Sequence, residues 1–416
     1  MKKYENYKDS GLEWLGMVPE HWEILPFKRG LSINNGRAYK HVQSEDGYPV
    51  IGSGGQFAFA SDYLYDGEVI LLGRKGTIDK PRYFNGKFWT VDTMFYAIPN
   101  QKCIAKYMYY QALTIPFSLY STDTALPSMT QTDLGNHLMC FPPTFEQRTI
   151  ASYLDQKVGQ IDALISEKEK MVEDLKAYRS SLITEAVTKG LNKEVKMKDS
   201  GVEWIKKIPA TWTTVLLKRC ATIMTGGTPS TDIDRYWANP TFRWYTPSDF
   251  SDDDVVLNDS SRKLDETAIK EYAAKLLPKN CVLVVGIGAT LGKVGISLNE
   301  CSSNQQINAI IFNSTVLPEY GAYYLLAGKE YIKSQSNAAT LPILNQSTMG
   351  ELQIVVPNIE EQKNIVGFIN KKVSVIKEGI ENLQIQLSDL KSYKSSLITE
   401  AVTGKIDLRD WQTKKS

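Results

Sequence analysis

"LKAYRSSLITEAVT" runs from Leu175 to Thr188, and "LKSYKSSLITEAVT" runs from Leu390 to Thr403. The two stretches lie 215 positions apart and end in the same nine residues, "SSLITEAVT". Identity of that length within one chain marks an internal duplication, which decides architecture before any local reading does. The same offset aligns "PPTFEQRTIASYL" at Pro142 with "PNIEEQKNIVGFI" at Pro357, and "LPSMTQTDLG" at Leu126 with "LPILNQSTMG" at Leu341. A second offset, 190, aligns "KDSGLEWLGMVPEHW" (Lys8–Trp22) with "KDSGVEWIKKIPATW" (Lys198–Trp212). Between these blocks Glu23–Ala125 shares little with Thr213–Thr340, and the change of offset makes the second region 25 residues longer. The plan is constant, variable, constant, twice over. It predicts a scaffold presenting two exchangeable heads.

The constant C-terminal blocks read as long helices. Pro142 and Pro357 precede them, and Thr144 with Gln147, or Asn358 with Glu361, has the spacing of a capping box. No proline follows for about 45 residues, so each helix is expected to reach roughly 65 Å. The first carries a heptad seam of Leu154, Val158, Ile161, Ile165, Val172, Leu175 and Leu182, continuing to Ala186, with Lys168 and Arg179 interrupting it. The second carries Ile369, Val373, Ile376, Ile380, Leu383, Leu387, Leu390 and Leu397, then Ala401, broken only at Lys394. Spacings of three and four alternate as in a coiled coil, and two such helices in one chain can satisfy each other. The expected fold class is α+β: two mixed α/β globules separated by two long helices in an antiparallel coiled coil, with a pseudo-twofold internal repeat. Antiparallel pairing would place the globules at opposite ends. Joining the chain ends would regenerate the middle junction, because "VTGKIDLRDW" and the first "KDSGLEW" mirror "KGLNKEVK" and "MKDSGVEW".

Composition excludes several classes. Five cysteines without a CxxC pair and three scattered histidines suggest neither a disulfide framework nor a metal site. No apolar run is long enough to span a membrane, and "MKKYENYKDSG" lacks a hydrophobic signal core, so a cytoplasmic protein is expected. A net charge of +1 argues against a free-standing nucleic-acid binder but not against one with clustered cations or basic partners.

The variable regions carry strand-like runs broken by glycine turns, such as "GEVILLGRKGTIDK" at Gly67 and "NCVLVVGIGATLGKVGI" at Asn280. The second run fails the Walker pattern at Ile287 and Val294, and the dinucleotide fingerprint at Leu291. Residues 69–91 hold Arg74, Lys75, Lys80, Arg82 and Lys87 against Asp79 alone. That stretch, with Thr77, reads either as a phosphate-facing edge from which Arg74 or Lys75 reaches guanine, or as a solvated basic loop. In the second region "TGGTPSTDIDRYW" and "FRWYTPSDF" supply Thr228, Ser230, Arg243, Thr246 and Ser248, and the glycine turn adds Thr290 and Lys293. Hydroxyls of this kind commonly contact phosphates, and Arg243 is placed to contact a base. Trp237 and Trp244 fit a core role better than a stacking one. The acidic "SDDDV" at Ser251 would face away from nucleic acid. "NPTF" at Asn239 departs from the Asn-Pro-Pro-Phe motif of amino-methyltransferases at Thr241 and reads as a turn. No nucleophile–base set stands out, so the chain reads as non-catalytic.

Together, "KDSGVEWIKKIPATW", "TGGTPST", "RWYTPSDF", "VPNIEEQKNI" and "SYKSSLITEAVTGKIDLRD" in this duplicated layout resemble the DNA-specificity subunit of Type I restriction–modification systems. "PPTFEQ" at Pro142 is a looser version of the block at Pro357. The resemblance implies a first target-recognition domain over 1–145 with its constant segment 8–22, and a first spacer helix over 146–189. It implies a second domain over 190–355 with constant segment 198–212, a second spacer helix over 356–404, and a tail over 405–416. Each domain would read half of a bipartite double-stranded DNA target, and the helices would set the gap and dock two modification subunits. Restriction (motor–nuclease) subunits would complete the complex. Adenine-N6 methylation and ATP-dependent cleavage, with S-adenosylmethionine, ATP and Mg, would belong to those partners, with no cofactor on this chain. The alternative from the residues alone is a coiled-coil adaptor with two protein-binding heads.

Overall fold

A computed structural model describes residues 2–120, 127–251, 254–336 and 343–411. Leu126, Leu341 and Pro342 of the repeated blocks, Asp252 and Asp253 of the acidic run, and 412–416 of the tail lie outside the described residues. The chain divides into two compact units, Met1–Glu169 with Ile385–Ser416, and Lys170–Gln384. The borders fall within two long helices, α1 (Thr144–Lys189) and α2 (Ile359–Val402).

Each variable region is an insertion between the two strands of one antiparallel pair. In the first unit Glu23–Pro26 pairs with Leu138–Phe141, running from Glu23 opposite Phe141 to Pro26 opposite Leu138. In the second, Thr213–Leu216 pairs with Gln353–Val356, running from Thr213 opposite Val356 to Leu216 opposite Gln353. Offsets of 190 and 215 convert one register into the other residue for residue. A constant hairpin precedes each pair: Tyr7–Asp9 with Met17–Pro19, and Met197–Val202 with Ile205–Pro209.

The heads share more than their sequences suggest. The first contains a seven-stranded sheet of β1 (Leu31–Asn35), β2 (Gln43–Ser44), β3 (Tyr48–Gly52), β4 (Gly55–Ala60), β5 (Tyr65–Gly73), β6 (Arg82–Thr90) and β7 (Met94–Pro99), in the order β1-β7-β5-β6-β3-β4-β2. The second contains β8 (Ala221–Thr225), β9 (Val256–Leu257), β10 (Cys281–Val285), β11 (Val294–Ser297) and β12 (Ile307–Phe312), in the order β8-β12-β10-β11-β9. The four strands β1-β7-β5-β6 thus correspond to β8-β12-β10-β11. Register agrees as well, since Asn35 faces Phe95 as Thr225 faces Asn308, and Ile70 faces Ala97 as Val282 faces Ile310. A three-stranded sheet of Arg262–Leu264, Phe242–Tyr245 and Ser302–Ser303 lies in the second head.

In each unit the last turn of one long helix enters the core of the head. Leu397, Ile398, Ala401 and Val402 of α2 join Val18, Trp22 and Tyr107 in the first unit. Leu182, Ile183, Ala186 and Val187 of α1 join Ile208, Trp212 and Tyr320 in the second. The terminal carbonyls of a helix have no partner within it. Here a buried tyrosine supplies one. Tyr107 Oη donates toward the carbonyls of Cys140 and Val402, at 2.9 and 3.4 Å, and Tyr320 Oη toward those of Val355 and Val187, at 2.9 and 3.2 Å.

The first turns of the helices are pinned by glutamines. Gln147 accepts from the Ile104 amide at 3.0 Å and donates to the Pro142 carbonyl at 2.9 Å. Gln362 accepts from the Leu317 amide at 2.7 Å and donates to the Pro357 carbonyl at 2.9 Å. The capping-box expectation therefore fails at Thr144, which lies inside α1 and donates to the Lys102 carbonyl, because Gln147 is taken by the head. Asn358 does cap α2, accepting from the Glu361 amide at 2.9 Å.

Every seam residue expected on the two helices is buried or half-buried. In the first unit Lys394 pairs with Asp162 at 2.6 Å, Lys391 with Glu169 at 3.0 Å, and Lys168 donates to Gln386 at 2.7 Å. In the second, a Leu175 methyl lies 3.7 Å from where a Cβ on Gly379 would stand. In the first unit positions rising along α1 meet positions falling along α2, so the pairing there is antiparallel. The seam's breaks at Lys168 and Lys394 are cross-helix polar contacts. Leu182 and Leu397 serve the head cores beyond the seam.

His137 occupies the place that Leu352 holds in the second unit, each carbonyl accepting from the next strand-end amide, Phe27 or Leu217, at 2.8 Å. His137 Nδ1 contacts Tyr120 Oη at 2.7 Å, while its buried Nε2 has no partner among the described residues. Burial pushes this imidazole down from 6.5 to about 4. A group favoured neutral in the folded state contributes fully above its unfolded pKa, and its contribution is lost as pH falls from about 6.5 toward 4.

Two stability predictions follow from this core. Tyr320→Phe should weaken the second unit by about 1–3 kcal/mol in denaturant titrations, because buried carbonyls lose their donor. Tyr107→Phe should weaken the first by less, because Gln111 Nε2 also donates to the Cys140 and Val402 carbonyls, at 3.0 and 2.9 Å. Taking the wild type from pH 7 to pH 5 should cost up to about 2 kcal/mol through His137. His137→Leu should abolish that share; equal losses in both proteins would show the acid sensitivity to lie elsewhere.

Candidate nucleic-acid interface

In the first head β5 ends at Gly73, and the chain turns through Arg74, Lys75 and Gly76, the last at φ +80°. Residues with side chains resist that conformation, so glycine fits the turn. The Arg74 and Lys75 amides both donate to the Thr93 carbonyl, at 2.8 and 3.2 Å, and the Met129 amide donates to the Arg74 carbonyl at 3.0 Å. This lattice holds the two cations at the rim of a cleft of about 350 Å³, together with Asn35, Ser128, Thr130 and Gln131. Arg74 lies 5.9 Å from the Phe95 ring centroid and donates to the Asp92 carbonyl at 3.3 Å. Among the described residues neither Arg74 nor Lys75 has an ion-pair partner. The two cations stand beside the exposed Asn35 and Gln131 carboxamides and the exposed Thr130 hydroxyl, a set of groups able to attract an anion and to exchange hydrogen bonds with it.

The remaining cations of 69–91 do not join them. Arg82 opens β6 opposite Leu71 and lines a separate cavity of about 490 Å³ with Gly55, Lys106, Tyr109 and Asp155. Lys87, opposite Asp66, lies 4.7 Å from the Tyr63 ring and 5.5 Å from that of Tyr48. Lys87 lies five steps along the strand from Arg82, about 17 Å. Thr77 is half-buried and Lys80 exposed. The sequence allowed either one phosphate-facing edge or a solvated basic loop; the hairpin register places these cations apart. Asn35, Ser128, Thr130 and Gln131 were missed because they sit on β1 and in the "LPSMTQTDLG" block, which reads as frame. Thr130 gives the available signal, since it caps the helix Gln131–Asn136 and accepts from the Asp133 amide at 3.0 Å.

The second head builds the same turn without cations. Gly286 takes the place of Arg74, its carbonyl accepting from the Leu344 amide at 2.7 Å, and Ile287 bridges Ile343 as Lys75 bridges Ser128. Gly288 at φ +79° repeats Gly76. Of the expected residues, Thr228 is exposed and donates to Gln305, and Ser230 accepts from the Asp232 amide at 3.3 Å. Arg243 donates to the Asn258 carbonyl at 3.2 Å and lies 3.5 Å from Asp259. Thr246 caps the short helix Pro247–Asp249, with Ser248 Oγ 2.8 Å from its hydroxyl. Thr290 accepts from the Lys293 amide at 3.2 Å, and Lys293 Nζ donates to the Phe250 carbonyl at 3.0 Å. Arg243, Thr246 and Lys293 are therefore engaged within the head. Asn239 sits in an exposed turn that bonds to Asp265.

Sequence reasoning passed over Arg262. Its guanidinium lies 4.6 Å from the Trp237 ring and 4.9 Å from that of Trp244, at the rim of a cleft of about 410 Å³ with Thr231 and Asp234. The indoles donate to the carbonyls of Ser230 and Gly227, at 3.1 Å each, which fixes the "GGTPS" loop beside this arginine. Trp244 is buried and Trp237 half-buried.

Among the described residues no group of three or more His, Cys, Asp or Glu is placed to hold a metal ion, and no helix is long and apolar enough to cross a membrane.

Comparison with known proteins accounts for this arrangement. Residues 19–174 and 209–389 each match the family model described as Type I restriction modification DNA specificity domain. The chain is 35% identical over 165 residues to the specificity subunit of the Type I restriction enzyme MjaIX of Methanocaldococcus jannaschii, covering 39% of this chain and 38% of that one. It is 22% identical over 450 residues to the EcoBI specificity subunit of Escherichia coli, covering 96% of this chain and 89% of that one. Among solved structures, a chain from work on complex assembly and conformational transition of the type I R-M system aligns with a TM-score of 0.72 at 14% identity, covering 94% of this chain and 99% of that one. The HsdS subunit from Thermoanaerobacter tengcongensis aligns at 0.50 and 15% identity, over 94% and 98%. These two show the fold. With both halves of its duplicated frame matched, the chain belongs to the Type I restriction–modification DNA specificity family.

Proposed function

We propose that the chain is the sequence-reading subunit of a Type I restriction–modification complex, each head recognising one half of a bipartite double-stranded DNA target. In this reading α1 and α2 set the gap between the halves and dock two modification subunits, and restriction subunits complete the assembly. S-adenosylmethionine, ATP and Mg serve those partners, and this chain holds and orients DNA without catalysing a step. The observation that carries the reading is the double family match, one for each head with its frame. The Arg74–Lys75 cleft supports it, since an arginine beside carboxamides and hydroxyls is suited to reading base edges while a lysine neutralises phosphate. The net charge of +1 fits a subunit that clamps DNA together with its partners.

Because each insert leaves and re-enters the frame through one strand pair, replacing residues 27–137 with the corresponding segment of another family member should change one half of the recognised sequence and leave the other intact. Methylation mapping in cells expressing the chimera with its partner subunits checks this. A change in both halves would break the two-head reading. Arg74→Ala should weaken binding of the assembled complex to its target by about 1–3 kcal/mol, and relax preference in one half-site only. An equal loss on unrelated DNA would reassign Arg74 to phosphate contact.

A further inference from the structure

The second unit holds two cysteines side by side, away from every surface described above. Cys281 opens β10, and Cys301 immediately precedes the strand Ser302–Ser303. Their sulfurs are 3.7 Å apart and both residues are fully buried. Cys301 is held by reciprocal backbone bonds with Leu277, at 2.8 and 3.1 Å, and both cysteines pack among Tyr245, Phe250 and Leu283. All five cysteines of the chain are free thiols.

The pair is electronically unequal. The hydrogen bond between the two sulfurs holds Cys301 below the ordinary thiol range; burial opposes this, while Ser297 and the charge of Arg243 reinforce it. Cys281 is raised by the same hydrogen bond and by burial. Two thiols 3.7 Å apart have the spacing of a nucleophile and its resolving partner, the thiolate being the form that reacts. The turn Leu298–Glu300, next to Cys301, is exposed, so local opening there gives a small oxidant a route to it.

We propose that Cys281 and Cys301 form a redox-responsive pair that closes to a disulfide on contact with hydrogen peroxide. The Cys301 thiolate attacks the peroxide: an S–O bond forms, the O–O bond breaks, and the leaving oxygen departs as water after taking a proton. Cys281 sulfur then attacks the Cys301 sulfenic sulfur, the S–S bond forms, the S–O bond breaks, and a second water leaves with the Cys281 proton. Two thiols and one peroxide give one disulfide and two waters. The sulfurs need approach each other by only about 1.7 Å to reach bonding distance. The bond ties β10 of the five-stranded sheet to the segment leading into Ser302–Ser303, which pairs with Trp244 and Tyr245 of the three-stranded sheet. Both sheets of the second head are then covalently joined.

The test uses the full-length chain, treated with hydrogen peroxide, unfolded in N-ethylmaleimide and weighed by mass spectrometry. The expected result is two fewer alkylated thiols, a cross-linked peptide containing Cys281 and Cys301, and reversal by dithiothreitol. Cys103→Ser should form the same bond, and Cys281→Ala should not. The melting transition of the second unit should rise by roughly 5–10 °C on oxidation. Five alkylated thiols after peroxide, recovery of Cys301 as sulfinic acid, or mapping of the bond to another pair would overturn the proposal. A bond formed without any rise in melting would overturn the joining of the sheets.

Discussion

One buried phenol in each unit holds three parts of the chain together. Tyr107 stands where the head helix Ala105–Ala112, the closing strand Leu138–Phe141 and the last turn of α2 converge, and Tyr320 stands at the matching point with α1. A helix end buried without partners for its carbonyls is costly. The tyrosine meets that need from outside the helix, so each helix can end inside a core rather than in solvent. Everything else in the frame is arranged around that junction: the glutamine that starts the next helix, the strand pair that admits the insert, and the tryptophan beneath them.

Which features were legible follows from what each requires of a side chain. The frame was readable where its contacts are chemical and sit in the repeated blocks, as with Gln147 and Gln362 or Trp22 and Trp212, whereas the phenols of Tyr107 and Tyr320 lie in the segments that share little. The heptad seams were readable for the same reason, and even their interruptions at Lys168 and Lys394 proved to be contacts between helices. The four-stranded sheet common to both heads was not. Its inward positions ask only for apolar bulk, so Ile70 and Val282, or Ala97 and Ile310, occupy matching places without resembling one another.

The candidate interface illustrates a different limit. Charge density along a sequence is a poor guide when the segment is a hairpin, because alternation and register send neighbours to different places. Arg74 and Lys75 stay together since both lie on one turn; Arg82 and Lys87 separate since they lie on one strand. The groups that complete the first cleft come from about 40 residues upstream and 55 downstream, a distance only the fold can close. Thr144 was misread for a related reason: the capping spacing was present, but Gln147 had a stronger engagement with the head.

The two halves differ beneath their common backbone. In the first, Glu146 is buried and receives the Trp22 indole at 3.1 Å, Tyr4 at 2.8 Å and His21 at 2.6 Å. In the second, the indole nitrogen of Trp212 is buried without a partner among the described residues, and the matching Glu361 is half-exposed. An unsatisfied buried donor costs on the order of 1–3 kcal/mol. Among the described residues each copy leaves different buried nitrogens unserved, Arg82 Nε and His137 Nε2 in the first and Trp212 Nε1 in the second, while the frame keeps one shape. Duplication here preserved a geometry while the buried polar contacts diverged, so a chain that looks symmetrical on paper is unsymmetrical in the hydrogen bonds beneath its frame.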